Sequence, residues 1–521
     1  MKGFVQRHSA NVIGVLNGFD RLRIRGTKRL LASVGGMFRF LWEQGIYLKD
    51  FGRYAESVTD QIRGATERLA ETTGRPIQYL ASSSTDKEAV ARRMIQGEHV
   101  TQGPVCILSS VEPCWSYEIH RSRESRKLEL RRKWRKCLHY YHYIIDPKLG
   151  FMHVRLQTWF PFSVHVCLNG REWLARQMDT AGLGYVRRDN CFVHLEDVER
   201  TQKLMDRQLV ADWRKLLNPL VARINPAERS IFRKHPVEYY WSVDQSEWAS
   251  DVMFRSSKAL GELYPRLIRH GMQNLSSTDV MRFLGQKLPS HQGPHGKFTG
   301  EVVSDLKARP EGMCVRHRVN FNSIKMYNKQ GSVLRVETTL NDPSDFKVYR
   351  SKEGDPRGAK EWRLLRKGVA DFHRRAEVSQ AANERYLASL EAVEDSTSLA
   401  DLCDRVCRPV NWNGRRARAL NPLSPDDARL LEAVNRGEFA INGFRNRDLR
   451  GLLFEPKNAS DQEGRRQSAA VSRKLRLLRA HGLIRKVPCT HRYRLTAQGS
   501  KTISALLSAR AADIDKLLAA A

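Results

Sequence analysis

Ser468-Ala-Ala-Val-Ser-Arg-Lys-Leu-Arg-Leu-Leu-Arg-Ala-His-Gly482 runs directly into Leu483-Ile-Arg-Lys-Val487 and, after a turn, into Tyr493-Arg-Leu-Thr496. Val471, Leu475 and Leu478 recur at helical spacing, and Gly482 stops the helix. The two runs that follow read as a two-stranded hairpin. Upstream, Ser424-Pro-Asp-Asp-Ala-Arg-Leu-Leu-Glu-Ala-Val434 is a helix with a serine cap and proline at its first position. Asn446-Arg-Asp-Leu-Arg-Gly-Leu-Leu-Phe454 is a short second helix.

Three helices followed by a hairpin, over residues 421–512, resemble the winged helix-turn-helix family, most specifically through "HGLIRKV" and "HRYRLTAQG". The resemblance implies a DNA-binding module. Ser472, Arg473 and Arg476 leave the apolar face of the third helix and would reach base edges or phosphates in a major groove. Arg485, Lys486, Arg492 and Arg494 on the wing would meet backbone phosphates. A winged helix used for protein contact or dimerisation is the alternative.

Charge points the same way. The chain has 521 residues with 89 Lys+Arg against 57 Asp+Glu, a formal net charge of +32. With 41% hydrophobic residues there is ample material for cores, which excludes a disordered basic tail. No apolar run is long enough for a spanning helix and no secretory leader is expected. Nine cysteines at irregular spacing give no disulfide framework. The expected setting is the reducing cytoplasm, and the expected partner is DNA, with RNA as the alternative.

The rest of the chain predicts an α+β multidomain protein. Residues 1–103 read as mainly helical, with Val58, Ile62, Ala65 and Leu69 at helical spacing. Within them, Arg21, Arg23 and Arg25 alternate with Leu22 and Ile24 in a strand-like rhythm that suits a phosphate chain. Residues 104–230 carry strands and then a helix from Arg171. Residues 231–345 form a second α+β segment with a loop at 290–297 and two hairpins, at 301–319 and 323–340. Residues 346–420 read as linker and helix, and 421–521 as the terminal module.

Arg121 to Lys136, RSRESRKLELRRKWRK, holds nine basic residues against two acidic ones. Arg131, Arg132, Lys133, Arg135 and Lys136 flank Trp134, and His139-Tyr-Tyr-His-Tyr143 follows. Cations beside rings suit a nucleic-acid path; alternatively, the rings line a core and the cations guard an edge.

No P-loop, Rossmann glycine pattern, HExxH or nucleophile elbow is present. Asp244, Asp305 and Glu337 are the candidate catalytic carboxylates, since carboxylates from neighbouring strands hold Mg²⁺ or Mn²⁺ for phosphodiester cleavage. Ion pairing with Arg and Lys is the competing role. Cys137-x-His139 and His165-x-Cys167 offer zinc-type ligands, but not at knuckle spacing, so zinc is not expected.

The stretch "NSIKMYNKQGSVLRVETTLND" is similar to a segment of plasmid and phage replication initiators. That similarity implies a tyrosine that attacks a DNA phosphate, with Tyr327 or Tyr386 as the candidate. Those enzymes carry a His-hydrophobe-His motif, and no His-x-His occurs here. The runs "NGFDRLRIRGT", "VCLNGREWLARQM" and "GFRNRDLR" also resemble a group of bacterial mobile-element proteins. The sequence therefore predicts a nucleic-acid-binding protein of a mobile element, acting as transposase, nuclease or replication initiator. A non-enzymatic DNA- or RNA-binding regulator or scaffold is the alternative.

Overall fold

The computed structural model describes residues 1–521 apart from 125, 286–300, 310–311, 353, 356, 392–398, 437–438, 440–442, 455–460, 489 and 512–521. The loop expected at 290–297 lies outside the described residues, as does the centre of the turn at 310–311.

In chain order the first elements are α1 (Lys2–Arg7), β1 (Val12–Lys28), α2 (Val34–Glu43), α3 (Phe51–Thr73), β2 (Ile77–Tyr79) and α4 (Lys87–Glu98). Then come β3 (Gly103–Arg121), β4 (Leu128–Asp146), β5 (Gly150–Gln157), β6 (Val164–Asn169) and α5 (Gly170–Ala181). Next are β7 (Tyr185–Arg188), β8 (Cys191–Leu195), α6 (Val198–Val210), α7 (Trp213–Ile224), α8 (Ala227–Ile231) and β9 (Tyr239–Phe254). After α9 (Ser257–Gln273) and α10 (Ser277–Phe283) follow β10 (Val302–Arg309), β11 (Gly312–Val319), β12 (Asn322–Lys329) and β13 (Val333–Leu340). The chain continues through β14 (Lys347–Arg350), β15 (Glu361–Leu364), α11 (Phe372–Leu390), α12 (Leu399–Val406), β16 (Val410–Trp412) and β17 (Arg415–Ala417). It ends with α13 (Pro425–Val434), α14 (Asn446–Leu453), α15 (Asp461–Ala480), β18 (Ile484–Lys486), β19 (Tyr493–Leu495) and α16 (Ala497–Ala511).

The chain forms two compact units that interleave along the sequence. Unit 1 comprises Met1–Val15, Ser250–Thr338 and Val378–Ala521; unit 2 comprises Leu16–Ala249 and Thr339–Glu377. The fold class is mixed helix and sheet. The units do not follow the contiguous blocks read from the sequence, because β1, β9, β13 and α11 each begin in one unit and end in the other.

In unit 2 the strand order is β9-β1-β6-β5-β4-β3-β2. Pairing is antiparallel from β1 through β3, and β2 joins β3 in parallel. One sheet face, with Leu22, Ile24, Val154 and Val166, is buried against apolar residues of α2, α3, α7 and α8. On the other face, α4 covers Leu108, Tyr141 and Tyr143. β1 holds glycines where the backbone is crowded. A side chain at Gly18 would meet Met205, and one at Gly26 would meet Trp241.

The strands read from residue 104 onward begin as two long ones of 19 residues each, β3 and β4. Pro113 does not break β3. β2 pairs only with Ile107–Ser109, so β3 is an edge strand at Pro113, where a missing N–H costs nothing.

In unit 1, β10-β11-β12-β13-β9 are successive sheet strands, antiparallel from β10 through β12, over α9, α10 and the C-terminal part of α11. A separate core gathers Val406, Leu420 and the apolar residues of α13 to α16. The stretch 346–420, read as linker and helix, also contains the hairpins β14–β15 and β16–β17.

Candidate nucleic-acid interface

The terminal module is built from its caps inward. The Ser424 hydroxyl accepts from the Asp427 N–H at the start of α13. Asp427 is buried and accepts from both terminal nitrogens of Arg418, at 2.6 and 2.7 Å. That pairing holds its carboxyl below the usual range. The Asp448 carboxylate accepts from the Arg445 N–H at the start of α14. On α15, Val471, Leu475 and Leu478 are buried with Leu430, Leu431, Val434 and Leu449. The helix ends at Gly482, whose φ of 70° suits a residue without a Cβ.

The same helix turns Ser472, Arg473 and Arg476 to solvent. Ser472 has a structural task as well, accepting from Asn446 Nδ2 at 2.9 Å and so linking α14 to α15. In the hairpin, Ile484 and Leu495 pair on the inner side, and Arg485 stands directly opposite Arg494. Arg485, Lys486 and Arg494 are exposed, and Arg492 is half-buried. Among the described residues, none of Arg473, Arg476, Arg485, Lys486 and Arg494 forms an ion pair.

The second basic feature is the outer part of β3–β4 in unit 2. β5 pairs with β4 only from His139 onward, so Leu128–Leu138 has β3 as its one strand partner. Trp115 and Trp134 are cross-strand neighbours with rings edge to face at 5.4 Å, and they are 48% and 56% exposed. Arg132 lies over Trp115 at 5.2 Å. Arg131 pairs with Glu129 at 2.8 Å and Lys133 with Glu118 at 3.0 Å. Arg135 donates to the Tyr117 carbonyl, and Lys136 is exposed. The cations therefore decorate an open ribbon with two surface indoles.

The rings of His139–Tyr143 are placed differently. All five side chains are buried, so they pack the sheet and cannot stack on bases without opening it. Burial pushes His142 down to about 3. Burial, helped by Arg155, pushes His139 down to about 4, so both imidazoles are neutral. Cys137 points to Cys114, and His139 Nδ1 lies 3.0 Å from the Cys137 carbonyl.

A third basic surface belongs to β1. Arg21 and Arg23 are exposed and Arg25 is half-buried, alternating with buried Leu22 and Ile24. Arg23 is opposite Cys167 and Arg25 opposite His165, and His165 in turn faces Arg155. Burial and these guanidiniums keep His165 neutral, well below its ordinary range.

The candidate carboxylates each meet cations in their own unit. Asp244 lies 3.8 Å from both Arg25 Nε and His165 Nε2. Asp305 on β10 is 3.5 Å from Lys307 Nζ. Glu337 on β13 is buried and accepts from Lys325 Nζ at 2.7 Å and from the Tyr327 hydroxyl at 2.8 Å. Burial alone would raise the Glu337 carboxyl, but Lys325 and Tyr327 outweigh it and hold it low. β11 and β12 lie between β10 and β13, which separates those backbones by about 14 Å. Asp305 and Glu337 thus do not share one ion. Tyr386 is fully buried beside Phe283, with its hydroxyl 3.3 Å from His317 Nε2.

Sequence reasoning noted Glu247 after Asp244 but did not join it to Asp20 in unit 2. Asp20 on β1 and Glu247 on β9 bring oxygens within 4.8 Å of one another. Asp20 is buried and accepts from Asn190 Nδ2. "NGFDRLRI" does show a carboxylate inside an apolar strand, but nothing in it names a partner more than two hundred residues away.

No helix among the described residues is long and apolar enough to cross a membrane. Comparison with protein-family models, with curated proteins and with solved structures finds no match.

Proposed function

We propose that this chain is a DNA-binding protein whose module from residue 421 is a winged helix-turn-helix, with α15 entering the major groove and β18–β19 lying along the backbone. One observation carries the reading. α15 buries Val471, Leu475 and Leu478 while Arg473 and Arg476 stay exposed and unpaired among the described residues. Unpaired guanidiniums on a helix held from behind are suited to bidentate contacts with guanine or phosphate. The β3–β4 ribbon supplies a further strand contact, through Arg132, Lys136 and its two indoles. A mobile-element role as transposase, nuclease or replication initiator fits these contacts.

The test is duplex binding measured by fluorescence anisotropy at fixed salt, wild type against Arg473→Glu/Arg476→Glu. Loss of about two orders of magnitude or more supports the reading. Unchanged binding by a folded double variant contradicts it. Preferential binding of duplex RNA would move the reading to the RNA-binding alternative.

A second reading, metal-dependent processing of the bound DNA, is favoured by the Asp20–Glu247 pair. Their oxygens form an all-oxygen donor set, which suits Mg²⁺ or Mn²⁺. Bound there, the ion would polarise a phosphoryl oxygen. Incubating labelled DNA with Mg²⁺ or Mn²⁺ tests this. Cleavage lost in Asp20→Asn and Glu247→Gln supports processing, and intact DNA under all conditions favours the non-enzymatic regulator.

A further inference from the structure

The short hairpin β16–β17 lies beside α15 within unit 1. Its Asn413-Gly414 turn has φ values of 49° and 71°, the left-handed pair that a two-residue hairpin turn demands. Trp412 is opposite Arg415, and Arg479 of α15 lies 4.8 Å over the Trp412 ring, fastening the hairpin to the helix. His481 Nε2, 2.8 Å from the Arg418 carbonyl, holds the following segment.

Between hairpin and helix is an open cavity of about 650 Å³. Arg415 and Arg416 line it from the hairpin side, and Arg473, Lys474 and Arg476 from the helix. None of these five forms an ion pair among the described residues, and no carboxylate lines the cavity. The sixth cation, Arg418, is already neutralised by Asp427. Arg415, Arg416, Arg473 and Arg476, beside a Lys474 that Asp427 partly offsets, repel each other around one groove, a cost that an anion with spaced charges relieves. A phosphodiester chain is such an anion.

We infer that β16–β17 is a second phosphate clamp, gripping a DNA backbone against the side of α15. This rests on the DNA-binding reading and adds Arg415 and Arg416 to it. Because the contacts are to phosphates, they weaken binding uniformly across sequences when lost.

The experiment measures affinity of the full chain for a labelled duplex over a salt series. Arg415→Ala/Arg416→Ala is compared with wild type, with Arg415→Lys/Arg416→Lys and with Arg473→Glu/Arg476→Glu. The alanine pair is expected to weaken binding about sixtyfold at 0.1 M salt, about eightfold for each lost contact. The slope of log affinity against log salt should fall by about 1.8, roughly 0.9 for each lost contact. The lysine pair should retain most of the slope. If the alanine pair binds like wild type while the glutamate pair fails, the clamp is refuted and the winged-helix reading stands. If both variants bind like wild type, both ideas fail. Tight saturable binding of inorganic tripolyphosphate, with duplex affinity unchanged in the alanine pair, would assign the groove to a small polyphosphate and overturn the inference.

Discussion

Arg485 on β18 and Arg494 on β19 stand directly opposite one another across the terminal hairpin. Facing like charges weaken a strand pair, by about 0.2–1 kcal/mol. The pair makes sense if the hairpin meets an anion. Stability and binding should therefore move in opposite directions in Arg494→Thr. Thermal melting should hold or rise slightly, while duplex affinity at 0.1 M salt falls about eightfold for one lost phosphate contact. Lower stability with unchanged binding would contradict this role.

The ribbon makes a prediction about single strands. Trp115 and Trp134 are surface rings, so Trp134→Ala removes little core. Its melting temperature should stay close to wild type. If Trp134 stacks on a base, affinity for a single-stranded oligonucleotide falls by about 1–3 kcal/mol, and fluorescence quenching on binding is reduced. Equal quenching and affinity in the variant would leave the indoles as an edge-guarding pair.

Glu337 separates structure from chemistry in unit 1. It is buried, with Lys325 and Tyr327 as partners. Glu337→Ala removes the buried carboxylate that both Lys325 and Tyr327 bond, and denaturant unfolding should show a loss of about 3 kcal/mol. Since the folded carboxyl titrates below its unfolded value, its contribution is present above the unfolded value and lost as the pH falls through the folded one. An unchanged unfolding midpoint would show that this ion pair holds nothing in place.

Buried neutral histidines add a second acid sensitivity. His142 is held down to about 3 against an ordinary 6.5, and His139 to about 4. Between pH 6.5 and about 4 the unfolded chain takes up these protons and the folded chain does not. Stability is thus greatest above pH 6.5 and declines as the pH falls. His142→Leu should flatten that decline in melting temperature, and an identical pH profile would contradict the assignment.

Much of the local structure was legible. Val471, Leu475 and Leu478 announce the buried face of α15, and "CLHYYHYII" announces a strand. What was illegible were the partners of polar residues across the chain. Asp20 and Glu247 meet because β9 pairs with β1, and neither strand's pattern names the other. β16–β17 went unread within the stretch taken as linker and helix, because its flanks are three residues each, too short for alternation to show. The glycines of β1 answer to Met205 and Trp241, contacts that no local window contains. The rings of 139–143 alternate as any half-buried strand would, and only the covering by α4 and by the other face's helices shows that both sides are occupied.

The most direct test of the central claim, that the exposed basic face of α15 and its hairpin grip duplex DNA, is the salt dependence of duplex affinity for the full chain. The account predicts a steep linear fall of log affinity with log salt, and a slope smaller by about 1.8 in Arg473→Ala/Arg476→Ala. A shallow slope that the double variant leaves unchanged would contradict it.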